Sequence, residues 1–225
     1  MSRDRSLFAV TAGLAWAGIL MRLGHDWWSH PVGVGLGHGL FGHYREGVLG
    51  SLQVTLDNLS YFTYWSNFIV AVVMTVLAVA PSFERAWFRT ARNAAALMIL
   101  LTGVLYVTLI APTDVVRGTV NVVINYDVHY VVPVLATLVW LIAGPRGWFT
   151  WAESLRIYAV PLLYLAYTLS RGALAHVYPY DFFDVTRYGY GSVLVTMAVI
   201  MAASYGVVVL FVLTDRGLLR WHRGP

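Results

Sequence analysis

The apolar residues of this chain fall into runs of roughly 17 to 24, separated by short connections that carry arginine, and this spacing leaves few folds open. A helix rising 1.5 Å per residue crosses a hydrocarbon core about 30 Å thick in some 20 residues. Inside such a core only helices and closed barrels satisfy their own backbone polar groups. The 225 residues are 59% hydrophobic and 12% charged, where a soluble domain carries about a quarter charged. The expected fold is therefore an all-α integral membrane protein, a single domain over 1–225.

Six spans are expected, at about 6–23, 59–80, 93–111, 126–143, 156–175 and 190–213. The fourth is short and holds Asp127, His129 and Pro133, but omitting it would move the C-terminal arginines to the wrong side. Arg3 and Arg5, then Arg85, Arg89 and Arg92, then Arg146 and Arg156, and finally Arg216, Arg220 and Arg223 fall on one side; Arg22, Arg45, Arg117, Arg171 and Arg187 fall on the other. The positive-inside rule then puts both termini in the cytoplasm and predicts a multi-pass protein of the cell membrane.

Arg3, Arg5 and the Ala15-Trp16-Ala17 triplet also fit a cleavable secretory signal. The apolar run continues through Ile19, Leu20 and Met21, so a retained span is expected. The connection over about 24–58 is the longest and is rich in glycine and histidine around Gly33–His43, which suggests a structured outer loop or lid.

All 15 basic residues are arginine, and the formal charge is +4. Dispersed over connections and termini, they read as anchors beside anionic headgroups, and no nucleic-acid partner is expected. With no cysteine there is no disulfide, thiolate nucleophile or Cys-based metal site. Any catalysis must use hydroxyl, imidazole or carboxylate groups.

Ionisable or nucleophilic groups at span depth are costly and point to function. Two stand out: Thr63, in Tyr61-Phe62-Thr63-Tyr64-Trp65-Ser66-Asn67, and His129, in Asn125-Tyr126-Asp127-Val128-His129. With the topology above, both lie at the outer mouths of their spans, level with the loop that holds Tyr178–Asp184.

Thr63, Ser66, Asn67 and Val70 share one helix face, a stripe that suits either interhelical hydrogen bonding or a site. Asn125 and His129 are one turn apart, and Pro133 cannot bond the His129 carbonyl, which predicts a kink there. A threonine hydroxyl needs a base within reach, and imidazole is the usual one. Ser66 and Asn67 could then serve a developing oxyanion, and Asp181, Asp184 or Asp127 could orient the imidazole, with Asp127 the least favoured because it projects from another face. Arg171 suits a carboxylate headgroup or a snorkelling anchor equally.

At these positions the chain resembles the androgen-induced gene family of membrane proteins. The matching pieces are Tyr61–Phe68, Asn125–Pro133, Arg171-Gly172 and Tyr178-Pro179, within a similarity running over about 55–213. The resemblance implies a six-helix hydrolase in which a membrane-embedded threonine and a histidine cleave fatty acid esters of hydroxy fatty acids, and it carries these roles to Thr63 and His129. Ser66, Asn67, Asn125 and Arg171 become candidates for oxyanion or substrate positioning. The Trp65-Ser66-Asn67 run looks like the bacterial branch of the family, and the His-rich loop has no counterpart there.

Three functions are weighed. The leading expectation is a lipid-ester hydrolase with no cofactor, using Thr63 as nucleophile, His129 as base, and walls of Phe62, Tyr64, Trp65 and Tyr130 for an acyl chain. A haem or metal protein is prompted by His25, His30, His38, His43, His129 and His176 near the outer side. A transporter or non-catalytic lipid-binding protein lacks the internal repeats usual for transport. The hydrolase expectation requires Thr63 and His129 to meet across the bundle, with side-chain atoms within about 4 Å.

Overall fold

The computed structural model describes residues 2–29, 40–42 and 44–223. His30, His38 and His43, with most of the glycine-rich stretch, lie outside the described residues. Those described are helical, with no strand among them beyond an isolated bridge between Leu40 and Tyr178.

The helices, in chain order, are α1 (Arg3–Ser29), α2 (Gly47–Asn58), α3 (Phe62–Val79), α4 (Ala86–Leu105), α5 (Thr119–Tyr126), α6 (Val132–Ile142), α7 (Ala159–Ala175) and α8 (Val185–Arg223), the last kinked at Gly189, whose backbone is not helical (φ 74°). α4 runs on into a π-helical turn at Tyr106–Ile110, and Pro112 prevents its continuation. α5 and α6 are one rod joined by a second π-helical turn at Asp127–Val131. Pro133 has no N–H for the His129 carbonyl; Val132 instead donates to Asp127 O, widening the turn where a regular helix would clash.

Five helical rods among the described residues are long and apolar enough to cross a membrane: Arg3–Ser29, Phe62–Val79, Ala86–Ile110, Thr119–Ile142 and Val185–Trp221. The region expected as the fifth of six spans forms a 3-10 turn, Arg156–Tyr158, followed by the 17 residues of α7. The fourth begins at Thr119, seven positions before the expected start. Much of the connection expected as an outer loop over 24–58 is helix: α1 continues to Ser29, and α2 occupies Gly47–Asn58.

α1, α3, α4 and α6 close a ring in which each packs on the next, with α7 and α8 added on the α4 side. Their shared core contains Phe8, Ala15, Val70, Leu77, Phe88, Ile99, Val132 and Val139. Glycines permit two close approaches beside His129. A Cβ at Gly103 of α4 would stand 3.0 Å from Pro133 Cβ and 3.5 Å from the His129 carbonyl oxygen, and a Cβ at Gly18 of α1 would collide with the Asp127 carboxylate.

α2 is polar inward and apolar outward. Ser51, Asp57 and Asn58 are buried, whereas Val48, Leu49, Leu52 and Leu56 are exposed. The buried groups meet a charged cluster: Arg22 pairs with Asp26 at 2.6 Å, Asn58 donates to Asp26, and Arg171 pairs with Asp57. Burial raises the Asp57 carboxyl above its ordinary range, against the lowering effects of Arg171 and a hydrogen bond from Tyr44.

α7 ends at His176, whose left-handed backbone (φ 56°) lets its N–H bond Gly172 O at 2.8 Å. Gly172 has no side chain, and the ring of Tyr178 occupies that space. The loop is thereby pinned to the bundle, and Tyr180 is delivered to the start of α3.

Candidate active site

Thr63 stands in the first turn of α3, buried at 7% exposure. Its Oγ1 lies 3.1 Å from His129 Nε2, so the two residues meet across the bundle. Neither helix could bring them together alone, because they are 66 positions apart. The π-helical turn carries His129, and the glycines at 18 and 103 let its neighbours close in.

The other imidazole nitrogen faces Asn125, one turn earlier. His129 Nδ1 lies 2.7 Å from Asn125 Oδ1 and 3.2 Å from the Asn125 carbonyl oxygen. The backbone carbonyl can only accept, so Nδ1 carries the proton and Nε2 presents its lone pair to the Thr63 hydroxyl. Asn125, expected among the oxyanion or substrate-positioning residues, lies against the imidazole Nδ1.

No aspartate among the described residues takes the orienting role. Asp181 accepts from Arg187 Nη1 and from the Tyr188 hydroxyl, each at 2.7 Å. Asp184 accepts from the Thr186 and Arg187 backbone N–H groups at 2.9 and 3.2 Å. Asp127 is turned toward Gly18, as its different helix face requires.

Ser66 and Asn67 make hydrogen bonds within the bundle. Ser66 donates to the Thr63 carbonyl at 3.0 Å and shares a 2.7 Å bond with the Thr102 hydroxyl. The Asn67 amide nitrogen donates to Thr63 O at 2.8 Å and to Val128 O at 3.1 Å. The polar stripe therefore ties α3 to α4 and to the histidine-bearing turn. Arg171 is paired with Asp57 and lies over the Phe41 ring at 4.6 Å.

Two residues missed in the sequence reach the pair. Tyr180, from the loop after α7, accepts the Phe62 backbone N–H at 3.0 Å and interacts with the Thr63 side chain and backbone. Burial pushes its phenol up to about 12, so the O–H keeps its proton across neutral pH. Tyr106, at the end of α4, stacks on the imidazole with ring centroids 3.8 Å apart. The nearness of Tyr180 to the threonine depends on the Tyr178–Gly172 seat, which is remote from Thr63 in sequence.

Thr63 opens into a cleft lined by Phe62, Leu97, Leu101, Tyr164, Phe182, Met197 and Ile200, among others. The cleft encloses about 90 Å³, less than the roughly 300–1,000 Å³ usual for small-molecule sites. Its polar side chains include Thr63, Thr102, Tyr180 and Ser204. His129 itself borders a separate apolar groove with Leu100, Val104, Pro133 and Leu138. Of the four expected acyl-wall residues, Phe62 lines the cleft and Tyr130 the groove.

Among the described residues no three His, Asp or Glu side chains converge as metal ligands. His176 is an exposed helix cap, and His25 lies beside Ser29 at the end of α1. Fold and site together define an all-helical protein with apolar rods of membrane-crossing length and a part-buried hydroxyl–imidazole–amide arrangement whose threonine lines an apolar cleft. Comparison of the chain with protein-family models, with curated proteins and with solved structures found no match.

Proposed function

We propose that this protein is an intramembrane hydrolase of long-chain fatty acyl esters, the class that includes fatty acid esters of hydroxy fatty acids. The observation that carries the reading is the 3.1 Å contact between Thr63 Oγ1 and His129 Nε2, with Thr63 lining an apolar cleft. Thr63 attacks the ester carbonyl while its proton passes to Nε2. The tetrahedral intermediate collapses as the imidazolium protonates the departing alkoxide. Water, deprotonated by His129, then cleaves the acyl-threonine and regenerates both residues.

Tyr180 is the donor assigned to the oxyanion, since its phenol lies beside Thr63 on the cleft side. Asn125 holds the Nδ1–H proton in place and favours the imidazolium that forms. The acyl chain occupies the cleft between α3, α4, α7 and α8.

The protein crosses the cell membrane six times in this reading, with the 3-10 turn and α7 together forming the fifth crossing. Both termini are cytoplasmic, which puts the more arginine-rich connections inside. The purified protein in detergent should release fatty acid from long-chain esters, and Thr63→Ala and His129→Ala should abolish this. Full hydrolysis by both variants would falsify the assignment.

A further inference from the structure

The hydrogen bonds at His129 do not end at Asn125. The Asn125 amide nitrogen lies 2.7 Å from the Tyr106 hydroxyl, which lies 2.8 Å from Asp114 Oδ2. Asp114 sits in the exposed turn after α4, so the chain runs from a surface carboxylate to the buried threonine. Its polarity is fixed from the carboxylate end. An ionised carboxylate only accepts, so Tyr106 donates to Asp114 and the phenolic oxygen accepts from Asn125 Nδ2. Asn125 then turns Oδ1 to His129 Nδ1–H, leaving Nε2 for the Thr63 hydroxyl. Every donor points toward Asp114.

We propose that Tyr106 and Asp114 are positioning residues for His129, acting through the Asn125 amide. Tyr106 acts twice: its ring lies against the imidazole, and its hydroxyl stops the Asn125 amide from turning its NH₂ toward Nδ1. Asp114 fixes the direction of the phenolic O–H and supplies the negative end of the chain. No proton travels beyond His129. When Nε2 takes the Thr63 proton, the new positive charge strengthens each bond in sequence. Stacking alone would explain a buried tyrosine here, but not the link from its hydroxyl through an amide to an exposed carboxylate.

The inference rests on the reading of Thr63 and His129 as a catalytic pair, and its test has a readout that does not depend on activity. Protein labelled with ¹⁵N at histidine is examined in detergent by NMR, with the His129 signals assigned by loss in His129→Gln. The imidazole proton is expected on Nδ1, with a downfield resonance. Tyr106→Phe keeps the ring and loses both hydroxyl bonds. It should move that resonance upfield and lower kcat on a long-chain ester about tenfold, with KM changed less than about twofold.

Asp114→Asn, on an exposed turn where folding is least at risk, should shift the resonance the same way, and Asp114→Glu should restore it. The proposal is overturned if both Tyr106→Phe and Asp114→Asn leave the resonance unmoved, or if the wild-type proton sits on Nε2. Resonance shifts as expected, in a protein that cleaves no ester, would sustain the positioning chain and remove the hydrolase reading instead.

Discussion

Tyr106 lies flat against His129, with ring centroids 3.8 Å apart and planes inclined by 12°. Offset aromatic contact of this kind limits ring rotation, so the imidazole can present only its edges to hydrogen-bond partners. One edge meets Thr63 and the other Asn125. The end of α4 thus contributes to a site whose hydroxyl and imidazole come from α3 and from the turn between α5 and α6.

A reactive phosphonate that modifies nucleophilic hydroxyls is expected to label the wild-type protein at Thr63. Labelling should disappear in Thr63→Ala and fall at least about 10²-fold in rate in His129→Ala, the usual contribution of a general base. Intact mass spectrometry of the labelled protein checks both. Equal labelling of Thr63→Ala would place the nucleophile elsewhere.

Asn125→Asp retains an acceptor at Nδ1 and is expected to keep most of the activity, whereas Asn125→Leu removes it. A fall in kcat of about 10- to 100-fold is expected for the leucine variant, with little change in KM, because the lost interaction grows as the imidazolium forms. Steady-state kinetics of both variants on one ester provide the comparison.

Tyr180→Phe removes the phenolic O–H beside Thr63 while keeping the ring packed on Phe182. If that proton stabilises the oxyanion, kcat should fall about 10²-fold. Since burial pushes the phenol up to about 12, the wild-type rate should show no loss from its ionisation between roughly pH 7 and 10. Unchanged kcat in the variant would exclude the role.

Gly18→Ala puts a methyl group where the Asp127 carboxylate packs. A loss of about 1–3 kcal/mol in stability is expected, the usual cost of overpacking. Combining it with Asp127→Ala should recover part of that loss, as contacting pairs do. Thermal unfolding in detergent of the two single variants and the double variant measures the coupling.

Arg171→Ala leaves Asp57 buried without its guanidinium. Burial already raises that carboxyl, and Arg171 opposes the rise, so its removal should raise it further. A carboxyl with a raised folded-state pKa favours the folded protein at low pH and loses that contribution as pH climbs through its ordinary range toward the folded value. The variant should therefore lose more thermal stability than wild type on going from pH 5 to pH 8, and adding Asp57→Asn should flatten the dependence.

The helical class and the positions of most rods were legible because burial in lipid imposes a minimum apolar length. Thr63 and His129 were legible for a related reason, since polar groups at such depth are costly. The i, i+4 spacing of Asn125 and His129 was visible too, yet a carboxylate is the more usual partner of a catalytic imidazole, and Asp181 and Asp184 are bonded within their own loop. Tyr106 carried no signal of its own among many aromatic residues, although Asp114 eight positions on could have suggested a polar path out of the span. α2 was hidden by its reversed polarity: Leu49, Leu52, Leu56 and Leu59 mark its outer face, so the helical period was present but faced away from the protein core.

The π-helical turn at Asp127–Val131 makes spacing itself a functional specification. Each such turn holds one more residue than a regular helix would, and one residue corresponds to about 100° of rotation and 1.5 Å of rise. Removing a single position, Tyr130 for example, would re-phase the helix on either side of the turn and swing His129 off the axis of Thr63 without altering any reacting group. Circular dichroism should then report preserved helix while phosphonate labelling of Thr63 is lost. For this protein, a gap of one in an otherwise well-aligned segment would signify more than many substitutions.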